Sequence, residues 1–273
     1  MKIYTTQEIL EKLDWCIKHK KPFSHIRFGD GGIKFIHCIL FKDIKQLNII
    51  IKKEGLPAHK IIEVFELWGY YARQADFIDT PEVYFNNTFW PRIKKPNKPI
   101  NKETEKKLKL WKFLYKNAEI DNENYCNPES NCLMILDIFG RRNIFDIMKG
   151  RKICVICTTT DIKQVLFEYN IDVVRIVKQY ENQYDNSFKS VATKIKNEAT
   201  KYDFWIVAAG ELGRIYTGMI KEHGGRAIDL GFVIDYWLAG YLHPRFHRFI
   251  SPNIGNKLEL RLTEEGKQYL EYI

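Results

Sequence analysis

Apolar residues recur at Ile9, Leu10, Leu13 and Ile17, the spacing of a helix with one buried face. The pattern predicts a helix over residues 5–18, capped by Thr6 and ended by Lys20, Lys21 and Pro22. Residues 23–28 read as a short strand, and a glycine-rich turn follows at 29–32. A second helix begins near Ile33, with Ile36 and Leu40 on one face. Helical patterns also cover 43–53, 57–73 and 102–117. Between them, residues 76–99 carry no period; they hold Asn86, Asn87, Trp90 and Pro91, then a basic loop over 92–98. Loops of this length often line active sites, and a surface excursion is the equal alternative.

The second half alternates. Apolar runs at 152–157, 173–177, 204–208 and 227–230 read as strands. Helical patterns at 162–168, 187–200 and 212–223 separate them, and a further helix is predicted near Trp237. Residues 258–273 read as a strand and a closing helix. Short apolar strands spaced by helices predict an α/β fold, a parallel sheet with helices on both faces. Such sheets bind ligands at the carboxyl ends of their strands. With no internal repeat and no linker, residues 1–273 read as a single domain.

Composition adds three limits. Hydrophobic residues make up 45% of 273, enough to bury a sizeable core, which excludes a disordered chain. No apolar run approaches the ~20 residues of a membrane span, and residues 1–7 lack the apolar stretch of a signal peptide. Six scattered cysteines do not form a disulfide framework, so the expected setting is cytoplasmic. The formal charge of +9 would attract polyanions, but the lysines are spread along the chain, so a nucleic-acid partner is disfavoured. No feature sets an oligomeric state.

Four places could carry chemistry. The turn after the first apolar strand reads R-F-G-D-G-G at 27–32. Glycines let backbone N–H groups approach a ligand, the following helix points its positive end there, and an aspartate at a strand end can hold a divalent ion on a diphosphate. Arg27, Gly29, Asp30 and Gly31 are its candidates, against a plain Asp-Gly turn. Gly210 and Gly213 open the helix after the 204–208 strand and resemble a phosphate-cradling turn, or merely fit the bend. Thr158, with Thr159, Thr160 and Asp161, could bind phosphate or ribose, or simply cap a helix by Thr160 or Asp161. Asp229 and Asp235, at and beyond the last strand, could bind ribose hydroxyls, a metal or an acceptor hydroxyl; their alternatives are capping and solvation. Cys154 and Cys157 are not a redox or zinc pair, because odd spacing in a strand sends them to opposite faces. Trp68, Tyr70 and Tyr71 read as the buried side of an amphipathic helix.

The turn at residues 24–32 resembles the opening motif of the GT-D type glycosyltransferases, whose signature is R-F-G-D-G-E. F-W-I-V-A-A-G at 204–210 and A-I-D-L-G at 227–231 are similar to the family's later strand, helix and I-D-x-G strand. The resemblance implies a Rossmann-like sheet and transfer of sugar from a nucleotide-sugar donor to an acceptor, expected to be a glycan or glycoprotein. It also implies a divalent metal, Mn²⁺ or Mg²⁺. Carried over, Asp30 would be a metal or diphosphate ligand, with Gly29 and Gly31 shaping the loop. The sequence departs from the motif at Gly32, where the family has glutamate, and at Phe232, where some members have histidine. The leading expectation is a glycosyltransferase in which Asp30 and Asp235 are catalytic, Asp235 as the acceptor's base. The loss of the glutamate keeps a non-catalytic nucleotide- or glycan-binding protein as the alternative.

Overall fold

The computed structural model describes residues 2–27, 30–79, 116, 124–126, 143–178, 181–231, 250–252 and 260–262. Strand β1 (Lys2–Tyr4) leads into α1 (Thr6–Lys18), β2 (Phe23–Ile26), α2 (Asp30–Leu40), α3 (Ile44–Glu54), α4 (Ile61–Gln74) and β3 (Phe77–Asp79). Then come β4 (Asn124–Cys126), α5 (Ile144–Met148), β5 (Lys152–Cys157), α6 (Ile162–Val165) and β6 (Asn170–Arg175). A π-turn over Tyr184–Phe188 runs into α7 (Lys189–Glu198), followed by β7 (Phe204–Val207), α8 (Gly210–Glu222) and β8 (Arg226–Asp229). The short strands β9 (Ile250–Pro252) and β10 (Leu260–Leu262) pair antiparallel on their own.

The first eight strands form one sheet in the order β1-β4-β3-β2-β8-β7-β5-β6. Every pairing in it is parallel. Strands β2, β7 and β8 are buried along their whole length; β7 reads as a continuous apolar run for that reason, while β2 and β8 also bury Ser24, His25, Arg226 and Asp229. On one face Ile9, Leu10 and Leu13 of α1 and Ile144, Ile147 and Met148 of α5 cover Phe23, Phe77, Ile206 and Ile228. On the other, Trp68 of α4, Ile195 of α7 and Leu212 and Ile215 of α8 cover Ile26, Ile78, Trp205 and Ala227. Each such side chain contributes about 1.5–3 kcal/mol by leaving water. Cys154 belongs to the second core and Cys157 to the first, the split that odd spacing in a strand requires.

Several boundaries differ from the sequence expectation. The N-cap of α1 is Thr5, not Thr6: Thr5 Oγ1 accepts from the Glu8 N–H and Glu8 returns the bond to the Thr5 N–H, a reciprocal box. Helix α2 starts at Asp30 rather than near Ile33. Helix α4 starts at Ile61, after a 3₁₀ turn over Ala58–Lys60. Strand β6 begins at Asn170, earlier than its apolar run. The segment expected to be irregular contains β3. The predicted helix near Trp237, most of that over 102–117, and the loop over 92–98 lie outside the described residues.

Candidate functional site

Because the sheet is parallel, all its carboxyl ends lie on one edge. Strand β8 sits between β2 and β7. The residues that follow these three strands therefore meet: Arg27 after β2, Leu230 and Gly231 after β8, and Ala208 to Gly210 after β7. Strand β8 alone separates β2, which leads to Arg27, from β7, which leads to the 208–213 turn, so these ends lie ~10 Å apart at the usual strand spacing. Asp30 and Gly31 are the first two residues of α2, so that helix opens on the same edge. Gly29, Asp235 and the side chain of Asp30 lie outside the description.

Asp229 is a buried carboxylate of this edge. It is 4% exposed, and one oxygen accepts the Gly231 N–H at 3.0 Å. Its other oxygen faces the first turn of α8, 3.5 Å from where Gly213 would carry a Cβ. Burial pushes the carboxyl up to about 6, opposed by the charges of Arg214 and Arg27. Arg27 reaches across from β2: a Cβ on Gly231 would collide with its guanidinium, and Gly231 has φ +50° besides. The positive φ favours glycine there, and any side chain would also have to push the Arg27 guanidinium aside.

Arg214, in α8, ties three elements together. Its Nε donates to the Arg27 carbonyl at 2.8 Å, and its guanidinium pairs with Glu211 one turn earlier. The same guanidinium stacks on Trp68 of α4, 4.4 Å from the ring centroid, and Trp68 Nε1–H donates to the Glu211 carbonyl at 3.0 Å. The backbone that enters the glycine turn is thus held by a buried ion pair under an aromatic lid. Sequence reasoning missed Glu211 and Arg214, although their i, i+3 spacing at a helix start was a signal.

Gly210 has φ +53°. Its backbone conformation explains the glycine without a ligand, since an L residue there costs roughly 1–2 kcal/mol. Gly213 is tolerant by contrast, because a Cβ would make only ordinary contacts with Asp229 and Val207 at 3.5 Å. Thr158 follows β5 on the same edge but lies beyond β7 from the Arg27–Asp229 pair. Its helix, α6, is a single turn of four residues. Neither Thr160 nor Asp161 caps it: Asp161 holds the cap position without a side-chain bond, and its N–H donates to Thr159 Oγ1 at 3.1 Å.

A second cluster lies across β2, β3 and β4. His25 Nε2, Asp79 Oδ1 and Cys126 Sγ form a triangle with sides of 3.0, 3.1 and 3.2 Å. His25, Asp79 and Cys126 are all fully buried. His25 Nδ1 and Asp79 Oδ2 have no hydrogen-bond partner among the described residues. These three side chains can hold a metal ion. Nothing in the spacing pointed to the cluster, because its members are far apart and two sit on strands of three residues.

No family model and no curated protein matches the sequence, but solved structures do. A glycosyltransferase, domain of unknown function 1792, from Streptococcus sanguinis aligns over 95% of both chains with a TM-score of 0.53 at 13% identity. A selenomethionine structure of domain of unknown function 1792 aligns over 99% of this chain and 94% of that one, with a TM-score of 0.54 at 16% identity. A third structure, of the same domain and described as having a distinct glycosyltransferase fold, covers the same shares at a TM-score of 0.50. The chain has the GT-D type glycosyltransferase fold. Among the described residues no helix is long and apolar enough to cross a membrane.

Proposed function

We propose that the protein transfers a sugar from a nucleotide-diphosphate-sugar donor to a glycan or glycoprotein acceptor. The observation that carries this reading is the meeting of Arg27, Asp229 and the start of α8 at adjacent carboxyl ends of a sheet with this fold. Transfer breaks the bond between the anomeric carbon and the diphosphate, and negative charge builds on the departing oxygen. Preorganised cations and N–H groups stabilise such charge most effectively where water is excluded. Arg27 and the N-termini of α2 and α8 are the groups for that task. Asp229 would bind donor hydroxyls, and Asp235 would take the proton of the attacking hydroxyl, a step worth typically ~10²–10⁴-fold.

The family's Mn²⁺ or Mg²⁺ would rest on Asp30. Such hard ions take several oxygen ligands, and the described residues do not offer them. Asp229 is already compensated by Arg27, Arg214 and the Gly231 N–H, and the other acidic cluster contains a thiol and an imidazole. Gly32 removes the motif's second carboxylate. In our reading Asp30 contributes one ligand to an ion that arrives with the donor's phosphates, and arginine and helix N-termini supply the rest of the positive charge. The missing carboxylate also favours a second reading, a protein that binds nucleotide without turnover.

Thermal shift against a panel of nucleoside diphosphates and nucleotide sugars, followed by a transfer and hydrolysis assay, tests the proposal. The expected result is a rise in melting temperature with one nucleotide class, turnover of its sugar, and loss of ~10²–10³-fold in kcat in Asp30→Ala. Stabilisation without turnover selects the binding protein. No stabilisation by any nucleotide, or full activity in Asp30→Ala, overturns the proposed site.

A further inference from the structure

We propose that His25, Asp79 and Cys126 bind a zinc-class dication that clips β2, β3 and β4 together. The proposal is independent of the sugar-transfer reading. The three atoms converge on one another, which hydrogen bonding alone explains poorly. Cys126 Sγ–H can donate to Asp79 Oδ1 at 3.1 Å, and a proton on His25 Nε2 would donate to that same oxygen at 3.0 Å. The 3.2 Å contact between Nε2 and Sγ then sets two donors face to face. Meanwhile Asp79 Oδ2 stays buried without a partner among the described residues. His25 Nδ1 is unpartnered with or without an ion and does not discriminate.

An ion resolves the rest. For a triangle with sides of 3.0–3.2 Å the centre lies ~1.8 Å from each corner, so an ion at the ~2.0–2.3 Å of zinc ligation sits ~1 Å off the plane. That is close to the base of a tetrahedron, with the fourth position left to a water that can donate to Asp79 Oδ2. Charge also balances: thiolate, carboxylate and neutral imidazole cancel a dication, so the ion adds no net charge to a fully buried place. The donor set decides the metal. A thiolate and an imidazole with one carboxylate favour zinc over the oxygen-seeking Mg²⁺ and Mn²⁺. Because the ligands are fully buried, the ion would enter as the chain folds.

The test uses the full chain without an affinity tag, produced in zinc-sufficient medium and in zinc-poor, cobalt-supplemented medium. We expect about one zinc or one cobalt per chain by elemental analysis. The cobalt protein should show a thiolate-to-cobalt charge-transfer band and the intense visible absorption of a tetrahedral ion. Cys126→Ser, a near-isosteric change, should abolish the charge-transfer band, and Asp79→Asn should lower the metal content at least tenfold. If these variants fail to fold, wild-type metal content and spectrum decide alone. Folded wild-type protein with less than about 0.1 ion per chain in both media overturns the proposal, as does metal bound without a thiolate band. A charge-transfer band that persists in folded Cys126→Ser would place the ion on another cysteine and also overturn it.

Discussion

Asp229 shows what burying a carboxylate costs the fold. Burial raises its folded pKa from 3.8 to about 6, so the folded state holds the proton more tightly than the unfolded chain. Its contribution is therefore fully present below pH 4 and declines as pH rises to about 6, where it levels off. A shift of this size corresponds to roughly 3 kcal/mol. Asp229→Asn keeps an acceptor for the Gly231 N–H and removes the titration. Melting temperatures measured from pH 4 to 8 should show wild type losing stability relative to Asp229→Asn between pH 4 and 6, with a constant gap above; parallel curves would contradict the assignment. Gly32 carries a second residue-scale prediction. If one carboxylate leaves Mn²⁺ to arrive with the donor, calorimetry should find weak Mn²⁺ binding to the free protein and tighter nucleotide-dependent binding in Gly32→Glu. Tight binding by the unmodified free protein would sink that reading.

At the scale of elements, α8 is buried on nearly every side, from Glu211 through Gly218. Two features allow it. Gly218 has no Cβ, and one there would collide with the ring of Tyr71 in α4. The Glu211–Arg214 pair is closed by Trp68 and the Arg27 carbonyl. Gly218→Ala should destabilise by about 1–3 kcal/mol through overpacking. Arg214→Ala should cost about 3–5 kcal/mol, because it strands a buried carboxylate. Denaturant unfolding measures both, and a smaller loss in Glu211→Gln/Arg214→Met than in Arg214→Ala would identify the stranded charge as the cause. Strands β5, β7 and β8 were legible in the sequence because four or five consecutive buried residues, mostly apolar, mark each. Strands β1, β3 and β4 were not, since three residues are too few to show a period. For the same reason the His25, Asp79 and Cys126 cluster could not be read: pairing through β3 alone brings residues 25 and 126 together. The edge bearing Arg27, Asp229 and Gly210 was legible, because motifs after parallel strands must share an end of the sheet. Trp68 was read as core, and its contact with Arg214 was not, because that contact depends on how α4 lies against α8.

For the whole molecule, the strand order has a consequence for how the chain is made. The centre of the sheet joins β2 to β8, pairing residues 23–25 with 226–228. Strand β2 has no neighbour on that side until more than two hundred residues have been synthesised. During that interval β2 and β7 each present an unpaired strand edge, and β7 is wholly apolar, the kind of edge that templates association between chains. Such distant pairing also slows folding, since the loop must close before its contacts can form. A chain ended after residue 225 should accumulate as insoluble protein, and co-expression of a holdase chaperone should raise the soluble yield of the full chain. Pulse-chase with limited proteolysis would show protection of residues 23–79 arriving only after release from the ribosome; protection on stalled chains lacking β8 would contradict this order. The strand that carries the buried aspartate is thus also the keystone of assembly, so an error in it exposes the two halves it was to join.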